Sequence, residues 1–219
     1  MEALFVYVSK KLEAIRYGPQ PECSPLHCIQ EIKTLAFWRA VFAELLATLI
    51  FVFLGCASTQ FVNREDDKFS EEARLIRIAL AFGLSIMVLI QMIGHVSGGH
   101  INPAVSIAMA VSMSISPVRA LFYVGAQSGG AIIGGLLLKA VTVPSWNTTI
   151  NLGVTSVNPQ IDVGQGLAVE IILTFVLVMV IYGTTDPNRT DFGSASLAIG
   201  LTVATGHLAG VRIQFYRWV

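Results

Sequence analysis

The sequence predicts an all-α membrane protein: an inverted-repeat helical bundle of five spans with one re-entrant half-helix. Three observations predict it. Hydrophobic residues make up 54% of the 219 positions and charged residues only 13%, well below the roughly 25% charged residues of soluble domains. Five apolar stretches long enough to cross a bilayer are interrupted by one apolar piece, Pro103 to Met113, that is too short to cross. Part of the pattern then recurs. Ala43-Glu44, Thr48 and Phe51-Val52-Phe53 return as Val169-Glu170, Thr174 and Val176-Leu177-Val178, offset by 126 residues.

Mean hydropathy is +0.68, and one soluble core could not hide that much apolar surface. Formal net charge is zero, with 14 basic and 14 acidic residues, so nothing points to a nucleic-acid partner. No nucleophile–base constellation or metal-ligand cluster is visible, and neither an enzyme nor a cofactor is expected. Cys23, Cys28 and Cys56 are read as unpaired thiols.

Residues 1–36 read as an N-terminal tail. Met1 to Val8 is too short and mixed for a secretory signal. Leu4 to Ile15 could form an amphipathic helix on the membrane surface, although an ordinary cytosolic tail is preferred. The spans are expected at about Phe37–Val62, Leu75–Val96, Pro117–Val143, Val163–Tyr182 and Ser194–Leu208. Lys10, Lys11, Arg16, Lys33 and Arg39 precede or open the first span, while Thr142–Asp162 contains no Lys or Arg. An inside N-terminus satisfies the positive-inside rule. Thr142–Asp162 is then outside, where Asn147-Thr148-Thr149 is a candidate glycosylation site. Asn188-Arg189-Thr190 has the same form but falls inside and is discounted. Three spans separate the repeat starts, an odd number, so the halves insert with opposite orientation. Gly83-Leu84-Ser85 and Gly94-His95 recur as Gly200-Leu201-Thr202 and Gly206-His207. Inverted repeats are a transporter architecture with the site at the midplane.

The chemistry centres on Ser97-Gly98-Gly99-His100-Ile101-Asn102-Pro103-Ala104. Asn is a favoured N-cap and Pro a favoured first helical residue. Asn102 would cap through its side-chain oxygen and keep its amide NH2 free to donate. The half-helix N-terminus adds partial positive charge there, which would orient a water oxygen and repel a cation. Gly98 and Gly99 would let the backbone turn so that loop carbonyls, including that of His100, face a path. Glu44 and Glu170 are carboxylates inside apolar spans. A proton relay would need more titratable neighbours, so they are assigned as buried acceptors for backbone N–H groups of re-entrant loops. His95 and His207 hold equivalent repeat positions, and His95 reads equally as a path residue or a packed, hydrogen-bonded one. The glycines from Gly125 to Gly135 are read as close-packing positions.

Taken together, Ala43-Glu44…Thr48…Phe51-Val52-Phe53, Ser97–Val105, Ala126-Gln127…Gly130-Ala131 and Val169-Glu170…Thr174-Phe175 closely resemble the aquaporins, or major intrinsic proteins. The match covers about Phe37 to Gly210. The resemblance implies a passive water channel in the bilayer, a homotetramer with one pore per subunit, and a plasma-membrane location. It implies that Asn102 is the pore asparagine of the first loop. It implies that Phe82 and His207 are two members of the aromatic/arginine constriction, as in the water-selective branch. Six spans and two opposed half-helices are usual in the family. After Gly210 the pattern would continue into a second Asn-Pro-Ala loop, an arginine, a half-helix and a sixth span, but here the sequence reads Val211 to Val219. The expectation is a chain truncated before the second loop, by splicing or by an incomplete gene model, with residues 211–219 a divergent tail. Arg212 and Arg217 are read as interfacial anchors with Tyr216 and Trp218. Glu170 would then be a buried carboxylate without its loop partner, costing several kcal/mol. The alternative function is a non-conducting isoform that assembles with full-length subunits.

Overall fold

The computed structural model describes residues 30–60, 71–142, 153, 159–186 and 193–214. Six helices form in the order α1 (Leu35–Ser58), α2 (Glu71–Ser97), α3 (Pro103–Val111), α4 (Pro117–Val141), α5 (Val163–Thr185) and α6 (Ala195–Gln214), and no strand occurs among the described residues. Asn147, Cys23, Cys28 and the Leu4–Ile15 segment lie outside them.

Four of the helix starts have a local cause. The Thr34 hydroxyl accepts the Phe37 amide at 3.2 Å and caps α1. Ser116 caps α4 by accepting the Arg119 amide at 3.0 Å, with Pro117 in the first turn. Asp162 and Gln165 form a reciprocal capping box at α5. Asn102 caps α3 ahead of Pro103. The half-helix ends at Val111, two residues short of the expected Met113. Ser112 is its C-cap, and Met113 turns into the left-handed region at φ 59°. Nine residues span about 14 Å, roughly half the hydrocarbon thickness.

Four helices, α1, α2, α4 and α5, are long and apolar enough to cross a membrane. The fifth expected span is α6, with an apolar portion at Ala195–Gly210 and a helix that continues through Gln214, beyond the expected boundary at Gly210. Gln30 and Glu31 are helical and lead into a turn at 32–34, and Glu31 bonds to the start of α4, ahead of the expected domain boundary at 37. The outward faces are apolar, with Leu84, Val88, Leu121, Ile171 and Phe175 all exposed. In a chain of this composition such surface belongs against lipid.

α1 packs on α4 and α2, α6 packs on α2 and α5, and α3 wedges between α4 and α5. The repeat-equivalent pairs α1–α2 and α5–α6 are thus both in contact. α1 and α4 approach closely where Gly130 and Gly134 face the Leu45 and Leu49 carbonyls. Gly125, Gly129 and Gly135 have open space where a side chain would stand, so the expected packing role falls to Gly130 and Gly134. One core cluster joins Ala43 and Ala47 of α1 to Ile86, Leu89 and Ile93 of α2 and Ile101 of the loop. A second joins Val105 and Met109 of α3 to Ile181 and Ile199.

Candidate functional site

The loop between α2 and α3 is held by one carboxylate. Glu44 is fully buried on α1. Its Oε1 accepts the Ser97 hydroxyl at 2.6 Å and the His100 amide at 2.9 Å. Its Oε2 accepts the Ile101 amide at 2.7 Å and Gln127 Nε2 at 2.9 Å. Four donors match the capacity of an ionised carboxylate. Hydrogen bonding of this kind compensates the desolvation of a buried charge.

That clasp supports an unusual backbone. Gly98 and Gly99 sit at φ 94° and 68°, where glycine is at home. Ile101 follows at φ 53°, a costly conformation for a β-branched residue. It persists because the amide of Ile101 is bonded to Glu44 and its side chain is buried in the first core cluster. Ser97 accepts the Gly99 amide at 3.1 Å, and its own carbonyl accepts the Tyr123 hydroxyl at 2.8 Å. His100 Nδ1 is 3.0 Å from the Ser106 hydroxyl, and the His100 ring stands edge-on to Tyr123.

Asn102 leaves this turn in extended backbone, and its Oδ1 accepts the Ala104 amide at 2.8 Å. The oxygen is therefore committed to the cap, and the amide nitrogen is the donor left over. Tyr182 of α5 donates to the Ala108 carbonyl at 2.8 Å and ties the far end of α3 in place.

A cavity of about 810 Å³ opens beside the loop. Gly98, Gly99, His100 and Asn102 line it, as do Phe82, His207 and Glu170. Phe82 and His207 stack at 4.4 Å between centroids, inclined by 23°. Phe51 meets Phe82 edge-on at 5.5 Å. His207 Nδ1 lies 2.9 Å from the Val203 carbonyl, which can only accept. The neutral ring therefore carries its proton on Nδ1 and offers Nε2 as an acceptor.

Two expectations are corrected. His95 does not line the cavity and is exposed. The lining row of α2 is Phe82, Ile86, Ile90 and Gly94, and His95 is one residue, about 100°, further round the helix. Glu170 is not a buried carboxylate. It is exposed, because its face of α5 opens onto the cavity instead of a packed loop. Pro103 and Ala104 form the first turn of α3 and lie outside the lining, where they set the axis of the half-helix.

Three residues were without an assigned role in the sequence. Tyr123 and Gln127 are both fully buried on α4, and Ser106 is fully buried on α3, bonded to Gln127 Nε2 at 2.9 Å. The spacing of Tyr123, Gln127, Gly130 and Gly134 puts all four on one helical stripe, a signal that was available.

The model of the family "Major intrinsic protein" matches residues 31–214. The chain belongs to the major intrinsic protein family. It is 45% identical over 213 residues to Aquaporin-4 of Homo sapiens, covering 93% of this chain and 64% of that protein. It is 49% identical over 179 residues to Aquaporin-4 of Mus musculus, covering 81% and 54%. Aquaporin-5 of Sus scrofa is 48% identical over 183 residues, covering 83% and 66%. The chain thus spans 54% to 64% of the length of these Aquaporin-4 relatives. Among solved structures, the aquaglyceroporin from Plasmodium falciparum is similar at a TM-score of 0.71 and 25% identity, covering 81% of this chain and 74% of that one. As a major intrinsic protein with apolar spans, the chain is an integral membrane protein.

Proposed function

We propose that this major intrinsic protein is a passive water channel whose path runs past Asn102 and the Phe82–His207 pair. One observation carries the reading: Asn102 caps α3 through its oxygen, which leaves its amide as a donor at the wall of the cavity. A water oxygen there meets the amide and the positive end of the half-helix together. Both favour one water orientation and disfavour a cation. His207 Nε2 offers an acceptor elsewhere on the same cavity wall, so a water chain finds donor and acceptor in sequence. The stacked rings would form one wall of a narrow point in this path, and a narrow point there would pass water and exclude larger solutes by size.

The same reading carries a plasma-membrane location with the N-terminus inside, homotetrameric assembly, and Asn147 as an extracellular glycosylation site. Stopped-flow swelling of proteoliposomes tests the channel. Permeability equal to that of empty vesicles would refute conduction by this chain.

A second reading, a non-conducting subunit that associates with longer aquaporin subunits, draws on the exposed Glu170. Its repeat mate Glu44 is enclosed by four donors, while Glu170 faces the cavity openly. Co-purification with a full-length relative, followed by permeability measurement of the mixed assembly, separates the two. Failure to associate removes the second reading.

A further inference from the structure

The loop is also tied to the other end of α4. The Glu31 carboxylate, from the helical residues just before α1, forms an ion pair with Arg119, accepting Arg119 Nε at 2.5 Å. Its second oxygen accepts the Ser116 hydroxyl at 2.6 Å. Arg119 lies one helical turn before Tyr123 and donates Nη1 to the Tyr123 hydroxyl at 3.4 Å. Its guanidinium also stands 5.5 Å from the centre of the Phe37 ring and 5.9 Å from that of Tyr123. Tyr123, with no exposed surface, donates its hydroxyl to the Ser97 carbonyl at 2.8 Å. Ser97 is where α2 stops and the loop begins, and its carbonyl is one of the last four that a helix leaves without an internal partner. The Ser97 hydroxyl donates to Glu44, which also accepts the amides of His100 and Ile101.

We infer that Glu31 and Arg119, acting through Tyr123, are positioning residues for the Asn102 loop, so that the segment before α1 belongs to the channel machinery. The alternative is an ion pair that only adds stability. Both side chains are largely buried, with 19% and 24% of their surface exposed, so removing one partner can also cost global stability. A local readout therefore separates the two. Where water flux is the readout, the inference rests on the proposed water-channel function.

The test uses the full chain in proteoliposomes, with Glu31→Arg, Arg119→Glu, the double reversal, and Tyr123→Phe. Two quantities are read: amide exchange of His100 and Ile101, and water flux per inserted chain. Each single reversal is expected to speed exchange of those two amides by about tenfold, with residues 163–185 unchanged. Flux per chain falls in the same variants, and the double reversal restores both quantities. Tyr123→Phe reproduces the exchange effect with the ion pair intact. The inference is overturned if loop exchange in Tyr123→Phe equals wild type, if exchange rises equally in every helix, or if the double reversal fails to restore it. Should a single reversal fail to insert, Glu31→Gln and Tyr123→Phe carry the same exchange measurement. If wild-type vesicles swell no faster than empty ones, the water-channel reading falls, and the exchange arm still decides this inference.

Discussion

Gly83 of α2 and Gly200 of α6 pack reciprocally: a Cβ on Gly83 would stand 2.6 Å from the Gly200 carbonyl oxygen, and one on Gly200 would stand 2.7 Å from the Gly83 carbonyl oxygen. The two are repeat mates, so the contact lies where the halves of the inverted repeat cross. Backbone on both sides leaves no flexible atom to give way. Gly83→Ala or Gly200→Ala is therefore expected to destabilise the chain by about 1–3 kcal/mol through overpacking. Thermal unfolding in detergent checks it, and Gly125→Ala, with open space around it, serves as the neutral control.

Glu44→Ala is expected to be among the most damaging single substitutions. It leaves two backbone amides, the Ser97 hydroxyl and the Gln127 amide without their acceptor in a buried site. At 1–3 kcal/mol for each buried unsatisfied group, a loss of about 3 kcal/mol or more follows even after partial relaxation. It also removes the support for the positive φ of Ile101. Amide exchange should localise the damage to residues 97–101 at moderate temperature, before global unfolding. Glu170→Ala, on an exposed carboxylate, should leave stability near wild type.

The half-helix start was legible in the sequence because its chemistry is local: Asn102, Pro103 and the apolar run behind them are contiguous. Glu44 was legible as well, since a carboxylate inside an apolar span must find donors. His95 was misplaced because a single residue step on a helix turns the side chain by about 100°, and sequence repeats do not say which row faces inward. Glu170 was misjudged for a different reason. Its burial depends on what stands opposite, and repeat symmetry with Glu44 does not supply that. The Glu31–Arg119 link joins residues 88 apart and leaves no periodic trace.

Asn102 caps α3 and, on the proposed reading, also donates to passing water, and two substitutions separate the two roles. Asn102→Ala loses both cap and donor, and should cost about 1 kcal/mol of stability. Asn102→Asp keeps an oxygen for the Ala104 amide, so stability should stay close to wild type. It also replaces the amide donor with a carboxylate at the cavity wall, which should lower water flux and ease cation passage. Thermal unfolding paired with vesicle swelling and cation leak measures both. Equal stability of Asn102→Ala and wild type would argue against the capping role.

The Phe82–His207 stack makes the last prediction, which concerns solute size. The rings face each other at 4.4 Å, and Phe82 is also pressed against Gly55 and the edge of Phe51. Phe82 is thus held from two sides, while His207 is held by its bond to Val203. Removing the histidine ring should open the cavity wall without disturbing Phe82, because the Gly55 and Phe51 contacts remain. On the proposed reading, His207→Ala is expected to raise glycerol uptake above that of the wild-type chain, with water flux retained. Phe82→Ala should also widen the path but lose about 3 kcal/mol or more from its packing. Iso-osmotic glycerol uptake into proteoliposomes, normalised to inserted protein, distinguishes the two. Unchanged glycerol uptake in His207→Ala would place the size filter elsewhere along the cavity.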